Sequence, residues 1–482
     1  MQNQISNKSH KILFFNTLAF TVCFAVWMLN GVLITFLADN QVFNWGPVEI
    51  GWLIGIPILT GSIFRLPAGI LTDKYGGKPI FIILLLLCVV PLFLLSYANS
   101  FLTFALCSFG FGLAGAGFSV GIAFSSIWYP KKNQGFVLGI FGAGNAGAAI
   151  TTAFAPTLLN IFTDNASNIE GWRNLPKLYA LILFITSIVF LIFTENKKPK
   201  YSNKNFATIL KPLKDIRVWR FGLYYFLTFG CFVAFANWLV PYFINVYYLP
   251  LVTAGILAAC FSFPSGIIRI PGGFWSDKFG ARTIMYGVLI SSVIICFLLV
   301  IPCMKIYLPG QGIMAKSDGI VKYLSKNKII VGKFFYNIKE KPINFINMEK
   351  GVFVFPTKET WHNVRVKIGQ KVKKKDLLAN GITRISFQAN MWIFASLVIL
   401  LGLIWGIGNA AVFKHIANYY PEQVGVVGGM VGVLGGLGGF FCPVIFGYLL
   451  GGTGFWSSCW IFMLILSIIC LVWMHRIIVN KF

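Results

Sequence analysis

Acidic residues are scarce in this chain: 14 Asp+Glu stand among 482 residues, against 40 Lys+Arg, and charged residues of both signs make up only 11%. A soluble globular chain carries about 25% charged residues, so a soluble enzyme, a disordered protein and a secreted scaffold all fit poorly. Histidine is rarer still, with four residues, and no paired acids, Cys/His metal spacing or nucleophile constellation occurs. No catalytic site, metal site or cofactor is therefore expected. The 10 cysteines lie within apolar runs, apart from Cys303 at the end of one, and read as buried thiols without a disulfide framework.

What the chain has is apolar length. Runs of roughly 18–27 residues, enough to cross ~30 Å of hydrocarbon, lie near 13–38, 48–72, 79–97, 101–128, 134–160, 177–194, 218–246, 252–276, 283–303, 390–417, 422–450 and 455–475. Twelve transmembrane helices are expected. The first run is too long for a removable signal peptide and lacks its cleavage site.

Lys8, Lys11, Lys74, Lys78, Lys131, Lys132, the cluster from Lys197 to Arg220, Lys278, Arg282, Arg476 and Lys481 fall on one side of these runs. The positive-inside rule makes that side, with both termini, cytoplasmic. The basic excess is thus topological before it is functional, and no nucleic-acid partner is expected.

The chain also repeats itself. Arg65-Leu-Pro-Ala-Gly-Ile-Leu-Thr-Asp-Lys-Tyr-Gly76 recurs as Arg269-Ile-Pro-Gly-Gly-Phe-Trp-Ser-Asp-Lys-Phe-Gly280, an offset of 204. Gly115-x-Gly117 running to Tyr129-Pro130 recurs as Gly406-x-Gly408 running to Tyr420-Pro421, an offset of 291. The two offsets differ by 87 residues, which matches a basic window at 304–390 with 17 Lys+Arg and five acids. Two homologous six-helix bundles with one inserted module follow: 1–194, a linker at 195–217, helices seven to nine at 218–303, the insert at 304–390, and helices ten to twelve at 391–482.

Arg65 and Arg269 each stand eight residues before an Asp that closes its helix, so each lies about 12 Å inside the hydrocarbon slab. Such an Arg usually faces a cavity and marks a substrate path. None of the 14 acids lies mid-span to pair with them. The missing counter-charge points to a mobile anion, and the planar guanidinium forks suit a small planar oxyanion. Pairing to backbone carbonyls is the alternative.

In the fifth span Gly135, Gly139, Ala143 and Gly147 recur every four residues, and Gly428, Gly432 and Gly436 form a matching stripe in the eleventh. Small residues so spaced let helix backbones approach closely and slide or bend. Asn145 in this run offers a polar group to substrate.

Gly69-x3-Asp73-Lys74-x-Gly76-Gly77-Lys78 and its copy Gly273-x3-Asp277-Lys278-x-Gly280-Ala281-Arg282 resemble the loop signature of the major facilitator superfamily. The resemblance makes Asp73, Lys74, Lys78, Asp277, Lys278 and Arg282 a cytoplasmic gate. The paired runs Gly142-Ala-Gly144-Asn-Ala-Gly147 and Val433-Leu-Gly435-Gly436-Leu-Gly438-Gly439-Phe-Phe-Cys-Pro443 are similar to the nitrate signatures of the nitrate/nitrite porter family. That likeness implies an all-α major facilitator fold in a bacterial inner membrane, with nitrate or nitrite as transported anion and the protein a monomer. It further implies that Arg65 and Arg269 bind the anion, walled by Phe118, Tyr225 and Phe229. Lys414 and His415, near the end of the tenth span, are candidates for an exit path. Exchange and proton symport both fit, as do another small organic anion and a membrane-anchored sensor.

In the insert, alternation in 352–355, 364–368 and 382–387 predicts strands. Val366–Ala379 is similar to half of a biotinyl/lipoyl-like barrel-sandwich domain, without a modification loop. The module reads as an electrostatic focusing element at the outer mouth, a spacer or a docking surface.

Overall fold

The structure is a computed structural model that describes residues 7–129, 134–198, 211–300, 304–325, 327–341, 357–387, 390–420 and 424–479. Pro130 to Asn133 of the fifth-span signature, Lys131 and Lys132 included, lie outside the described residues. So do most of the linker, Cys303, the strand expected at 352–355, Pro421, Glu422 and Lys481. The chain divides into two compact units, Met1–Leu299 with Ala395–Phe482, and Val300–Phe394.

The larger unit is helical. Among the described residues ten helices are long and apolar enough to cross a membrane: Asn7–Asp39, Pro47–Tyr75, Gly77–Leu95, Phe101–Ile127, Ile169–Phe193, Ile216–Tyr247, Ala281–Leu299, Met391–Tyr419, Val426–Thr453 and Ser458–Val479. An eleventh is a bent pair, Leu251–Ile267 and Arg269–Phe279, at 42°. The remaining apolar run, 134–160, is helical in three pieces: Gln134–Gly142, a tight 310 turn at Ala143–Ala146, and Gly147–Phe162. We number these twelve segments as spans in chain order.

Local chemistry sets the ends and the breaks. Span two starts on Pro47 behind Gly46 and stops at Gly76, whose φ of 90° a side chain would strain; Gly280, at 84°, does the same for span eight. Span four opens with a capping box between Ser100 and Thr103. Both span two and span eight carry a proline two residues after their arginine, Pro67 and Pro271, yet only span eight bends. Pro264 stands where the first repeat has Thr60, four residues before the break at Ile268, whereas the second proline of span two, Pro57, lies farther from its arginine and leaves that helix unbroken. Two further departures from regular α-helix occur in the core, a 310 turn at Gly112–Ala116 in span four and a π turn at Phe226–Gly230 in span seven. The 310 turn in span five changes the pitch within the expected every-fourth-residue stripe.

The homologous halves meet along spans two and eleven. At the end away from Asp73 and Asp277 the backbones touch: a Cβ at Gly51 would strike the Val444 backbone at 3.3 Å, and one at Gly447 would strike Val48 at 3.2 Å. Spans five and eight press together at the same end, where Gly255 lies under Pro156 with only 2.7 Å of room for a Cβ. Toward the basic end, which carries Lys8, Lys78 and Arg282, the contact loosens. There a Cβ at Gly139 would stand 3.9 Å from Ile270, and one at Gly429 would have no atom within 4 Å. The halves are closed at one end and parted at the other.

The smaller unit is built of β1 (Met304–Met314), β2 (Gly319–Leu324), β3 (Lys328–Val331), β4 (Phe334–Asn337), β5 (Thr357–Val364), β6 (Lys371–Val372) and β7 (Leu377–Phe387). They form two antiparallel sheets, β1-β7-β5 and β4-β3-β2-β6. The first and last strands pair in register from Met304 against Phe387. Val321, Ile329, Val331, Tyr336, Val372 and Leu378 supply its core. The strand expected at 382–387 falls within β7. The alternation at 364–368 lies instead at the end of β5 and in the turn before β6, where Gly369 takes a φ of 85°. Arg384 is buried against Trp361 and paired with Glu359, which satisfies an otherwise costly internal charge.

Candidate functional site

The two arginines converge on one aromatic ring. The Arg65 guanidinium carbon lies 5.2 Å and that of Arg269 5.5 Å from the centroid of Phe229. Arg65 is further caged by Phe118 at 5.2 Å and Trp27 at 5.5 Å, and Arg269 by Phe232 at 5.9 Å. Aromatic faces attract a cation through their quadrupole, so these rings hold both guanidinium planes without supplying a negative charge. Phe229 reaches this position through the π turn of span seven, which leaves it stacked on Tyr225 at 4.9 Å and 6°. Such turns inside α-helices are frequent at functional sites.

Hydrogen bonding divides the pair. Arg65, 3% exposed, donates through Nη1 to the Gly432 carbonyl at 2.8 Å and through Nε to the Gly115 carbonyl at 3.4 Å. The backbone alternative thus holds for this arginine. Even so, its Nη2 has no partner, and neither do Nε and Nη2 of Arg269. Among the described residues no carboxylate forms an ion pair with either. The buried Tyr225 hydroxyl is also unpartnered. Three N–H-bearing nitrogens and one hydroxyl therefore stand buried and unpaired around one ring, a state that costs stability unless a ligand completes it.

The signature glycines clear the space. A Cβ at Gly435 would overlap the Tyr225 ring, and one at Gly436 would overlap the Ser62 hydroxyl and approach Arg65 Nη1 to 3.2 Å. Gly438 packs on Gly230 and the Phe226 carbonyl, and Gly439 on Ile58 and Val233. In span five, Gly144 lies on Phe20, which touches Phe118 at 5.6 Å, and Gly147 lies on the Thr21 carbonyl. Gly142 faces no atom within 4 Å. Asn145 is 1% exposed with both amide atoms unpartnered, and it makes no hydrogen bond to either arginine.

Sequence reasoning passed over Trp27, Ser62, Phe232 and Asn409, and it singled out Gly432 only as a small residue, not for its carbonyl. Asn409 had a signal: it stands 291 residues after Phe118, the offset of the second repeat. It is 2% exposed, with both amide atoms unpartnered.

At the basic end, Asp277 pairs with Lys414 at 2.5 Å, Lys78 donates to the Thr194 carbonyl at 2.7 Å, and Arg282 donates to the Tyr419 hydroxyl at 3.3 Å. Lys74 lies over Tyr75 and Lys278 over Phe279. Each of these contacts stays within its own half. His415 is buried, stacked on Phe221 at 5.5 Å. Burial opposes the charge of Asp215, which opens span seven. Hydrogen bonds from the Tyr420 hydroxyl and the Arg217 amide, with the charges of Arg217 and Arg220, nevertheless hold that carboxyl below the usual range.

A two-halved helical bundle whose cationic centre lies on the seam is a transporter architecture. The profile of the Major Facilitator Superfamily matches residues 15–311, and the chain belongs to that superfamily. Its fold resembles a bacterial homologue of the human lysosomal transporter Spinster in an inward-facing, occupied conformation, with a TM-score of 0.64, 12% identity and coverage of 98% of this chain and 97% of that one.

Sequence relatives narrow the class to the nitrate/nitrite porter family, of which this chain is a member. It is 37% identical to the "Probable nitrate/nitrite antiporter NarK1" of Thermus thermophilus over 96% of this chain and 90% of the relative. It is 25% identical to the nitrite extrusion protein of Bacillus subtilis over 97% and 95%, and 27% identical to the "Probable nitrate transporter NarT" of Staphylococcus epidermidis over 95% and 94%.

Proposed function

We propose that the protein is a secondary active transporter of nitrate and nitrite that works by alternating access, holding the anion between Arg65 and Arg269. The observation that carries this reading is the set of unpaired nitrogens on the two guanidinium groups around Phe229, with no carboxylate among the described residues paired to either. A trigonal oxyanion presents three coplanar acceptors, which planar N–H forks match edge to edge. The Tyr225 hydroxyl adds a fourth donor, Phe118 and Phe229 wall the site, and Asn145 and Asn409 lie in reserve for a second conformation.

Coupling reads as exchange. An empty carrier would pass through its occluded state with two uncompensated guanidinium charges in a low-dielectric interior, and a bound anion lowers that barrier. Obligatory return with a second anion follows. The parted basic end corresponds to a cytoplasm-facing state in a bacterial inner membrane, with both termini cytoplasmic and a monomer as the working unit. Asp73, Lys74, Lys78, Asp277, Lys278 and Arg282 would close that end in the alternate state, with Lys414 and His415 near the anion's exit.

The test is nitrate-stimulated nitrite counterflow in vesicles containing the purified protein, with and without a pH gradient. Counterflow without a gradient that is lost at low nitrate concentration in Arg65→Lys and Arg269→Lys supports the reading. Flux that requires the gradient indicates proton symport, and competition by small carboxylates but not by nitrate indicates an organic anion. A chain from which the insert has been excised should keep its flux; its loss would favour the sensor reading.

A further inference from the structure

A second cationic cleft lies at the basic end of the C-terminal half and shares no residue with the Arg65–Arg269 pair. Its polar wall is formed by Arg220, Tyr224, Arg282, His415 and Tyr419, and its internal volume is about 30 Å³. Met474 and Ile477 of span twelve form an apolar rim. Elements distant in sequence build it: the first turns of spans seven and nine, and the last turns of spans ten and twelve.

The inner surface is fixed by aromatic packing. Phe221 stacks on His415 at 5.5 Å and 17° and leans on Tyr419 at 5.8 Å, while Arg220 lies over Phe221 at 5.4 Å. Arg282 holds the Tyr419 hydroxyl at 3.3 Å. Two polar atoms at the bottom are left over. The Tyr224 hydroxyl, on a side chain 2% exposed, and Nε2 of His415, on a side chain 7% exposed, have no hydrogen-bond partner.

The charge is equally one-sided. Among the described residues neither Arg220 nor Arg282 forms an ion pair, and no carboxylate lines the cleft. The acid that acts electrostatically on Arg220, Asp215, is engaged by the Tyr420 hydroxyl and the Arg217 amide. Two guanidinium groups at the mouth and two unpaired polar atoms at the base form a receptor for an anion with several oxygens. The apolar rim adds the surface that an acyl chain would cover, and basic pockets between membrane helices on the cytoplasmic side suit lipid headgroups.

We propose that this cleft binds a phosphate-type oxyanion, supplied by an anionic phospholipid headgroup or by phosphate in solution. The ligand would tie spans seven, nine, ten and twelve together at the end where the halves are parted, and so stabilise the C-terminal half as a rigid body.

The test uses the purified full-length protein in a non-ionic detergent, with its thermal unfolding midpoint followed against short-chain phosphatidylglycerol, short-chain phosphatidylcholine and inorganic phosphate. A ligand that binds only the folded state raises the midpoint by mass action. Phosphatidylglycerol should raise it and phosphatidylcholine should not. The double variant Arg220→Gln, Arg282→Gln should need about thirtyfold more phosphatidylglycerol, as expected for the loss of two basic contacts near a membrane surface. If inorganic phosphate gives the same rise and the same loss in the variant, the site stands with a soluble ligand. Should the double variant not fold, Tyr224→Phe keeps the ring, removes only the unpaired hydroxyl and should weaken the response several-fold. Equal responses to the two lipids, or a phosphatidylglycerol response unchanged in the folded variants, would overturn the proposal.

Discussion

Arg65 donates a 2.8 Å hydrogen bond from Nη1 to the carbonyl oxygen of Gly432, across the seam between the two homologous halves. Among the described residues no equivalent bond ties Arg269, whose Nε and Nη2 are unpaired. The arginines are equivalent by repeat and unequal by bonding. One is tied across the seam, and the other, among the described residues, is not.

Substitution should separate those roles. Arg269→Lys is expected to raise the KM for nitrate by about tenfold or more, the loss of one charge-assisted fork, with turnover less affected. Arg65→Lys should depress turnover as well, because the tie to Gly432 is lost. Counterflow across a range of nitrate concentrations reads both quantities, and identical profiles for the two variants would remove the asymmetry.

Phe229 should matter more than its neighbour. Phe229→Leu removes a ring that faces both guanidinium groups, whereas Phe232→Leu removes one that faces Arg269 alone. With a desolvated cation–π contact contributing up to about 2 kcal/mol, anion affinity is expected to fall further in the first variant. Isothermal titration of each with nitrate makes the comparison.

Glycine substitutions should sort by contact. Gly435→Ala drives a methyl into the Tyr225 ring and Gly147→Ala drives one into the Thr21 carbonyl, so each should lose about 1–3 kcal/mol of stability through overpacking. Gly142→Ala meets open space and should keep the unfolding midpoint of the parent. A drop in its transport rate with that midpoint intact would place the need for Gly142 in the opposite conformation.

Acid should loosen the start of span seven. Asp215 has its folded pKa depressed below the unfolded value, so its contribution to stability is present at neutral pH and is lost as pH falls through the folded value. Tyr420→Phe removes one cause of that depression. The variant should be less stable than the parent at pH 7, with the gap closing below the ordinary carboxylate range. Unfolding midpoints taken between pH 7 and acid give the comparison.

Much of this architecture is legible in the residues because the chain states it twice. The offset that pairs Arg65 with Arg269 also pairs Asp73 with Asp277 and Gly76 with Gly280, whose left-handed turns end the two spans. The bend at Ile268 does not follow from the number of prolines, since span two carries Pro57 and Pro67 and stays unbroken. The sharing of Phe229 was not readable. It depends on a π turn that packs on Gly435 and Gly438, a contact distant in sequence. The insert shows the same limit at smaller scale. Strands β3 and β4 are four residues each, too short for alternation to stand out, and are defined by pairing with each other.

That insert has one further property, set by the pairing of Met304 with Phe387. Its entrance and exit lie side by side on neighbouring strands, so the module is a closed excursion of the chain. The junction between spans nine and ten is thereby a port. Any small domain whose ends lie equally close together could be exchanged at that position, which makes it a natural place to graft an affinity handle or a fluorescent reporter.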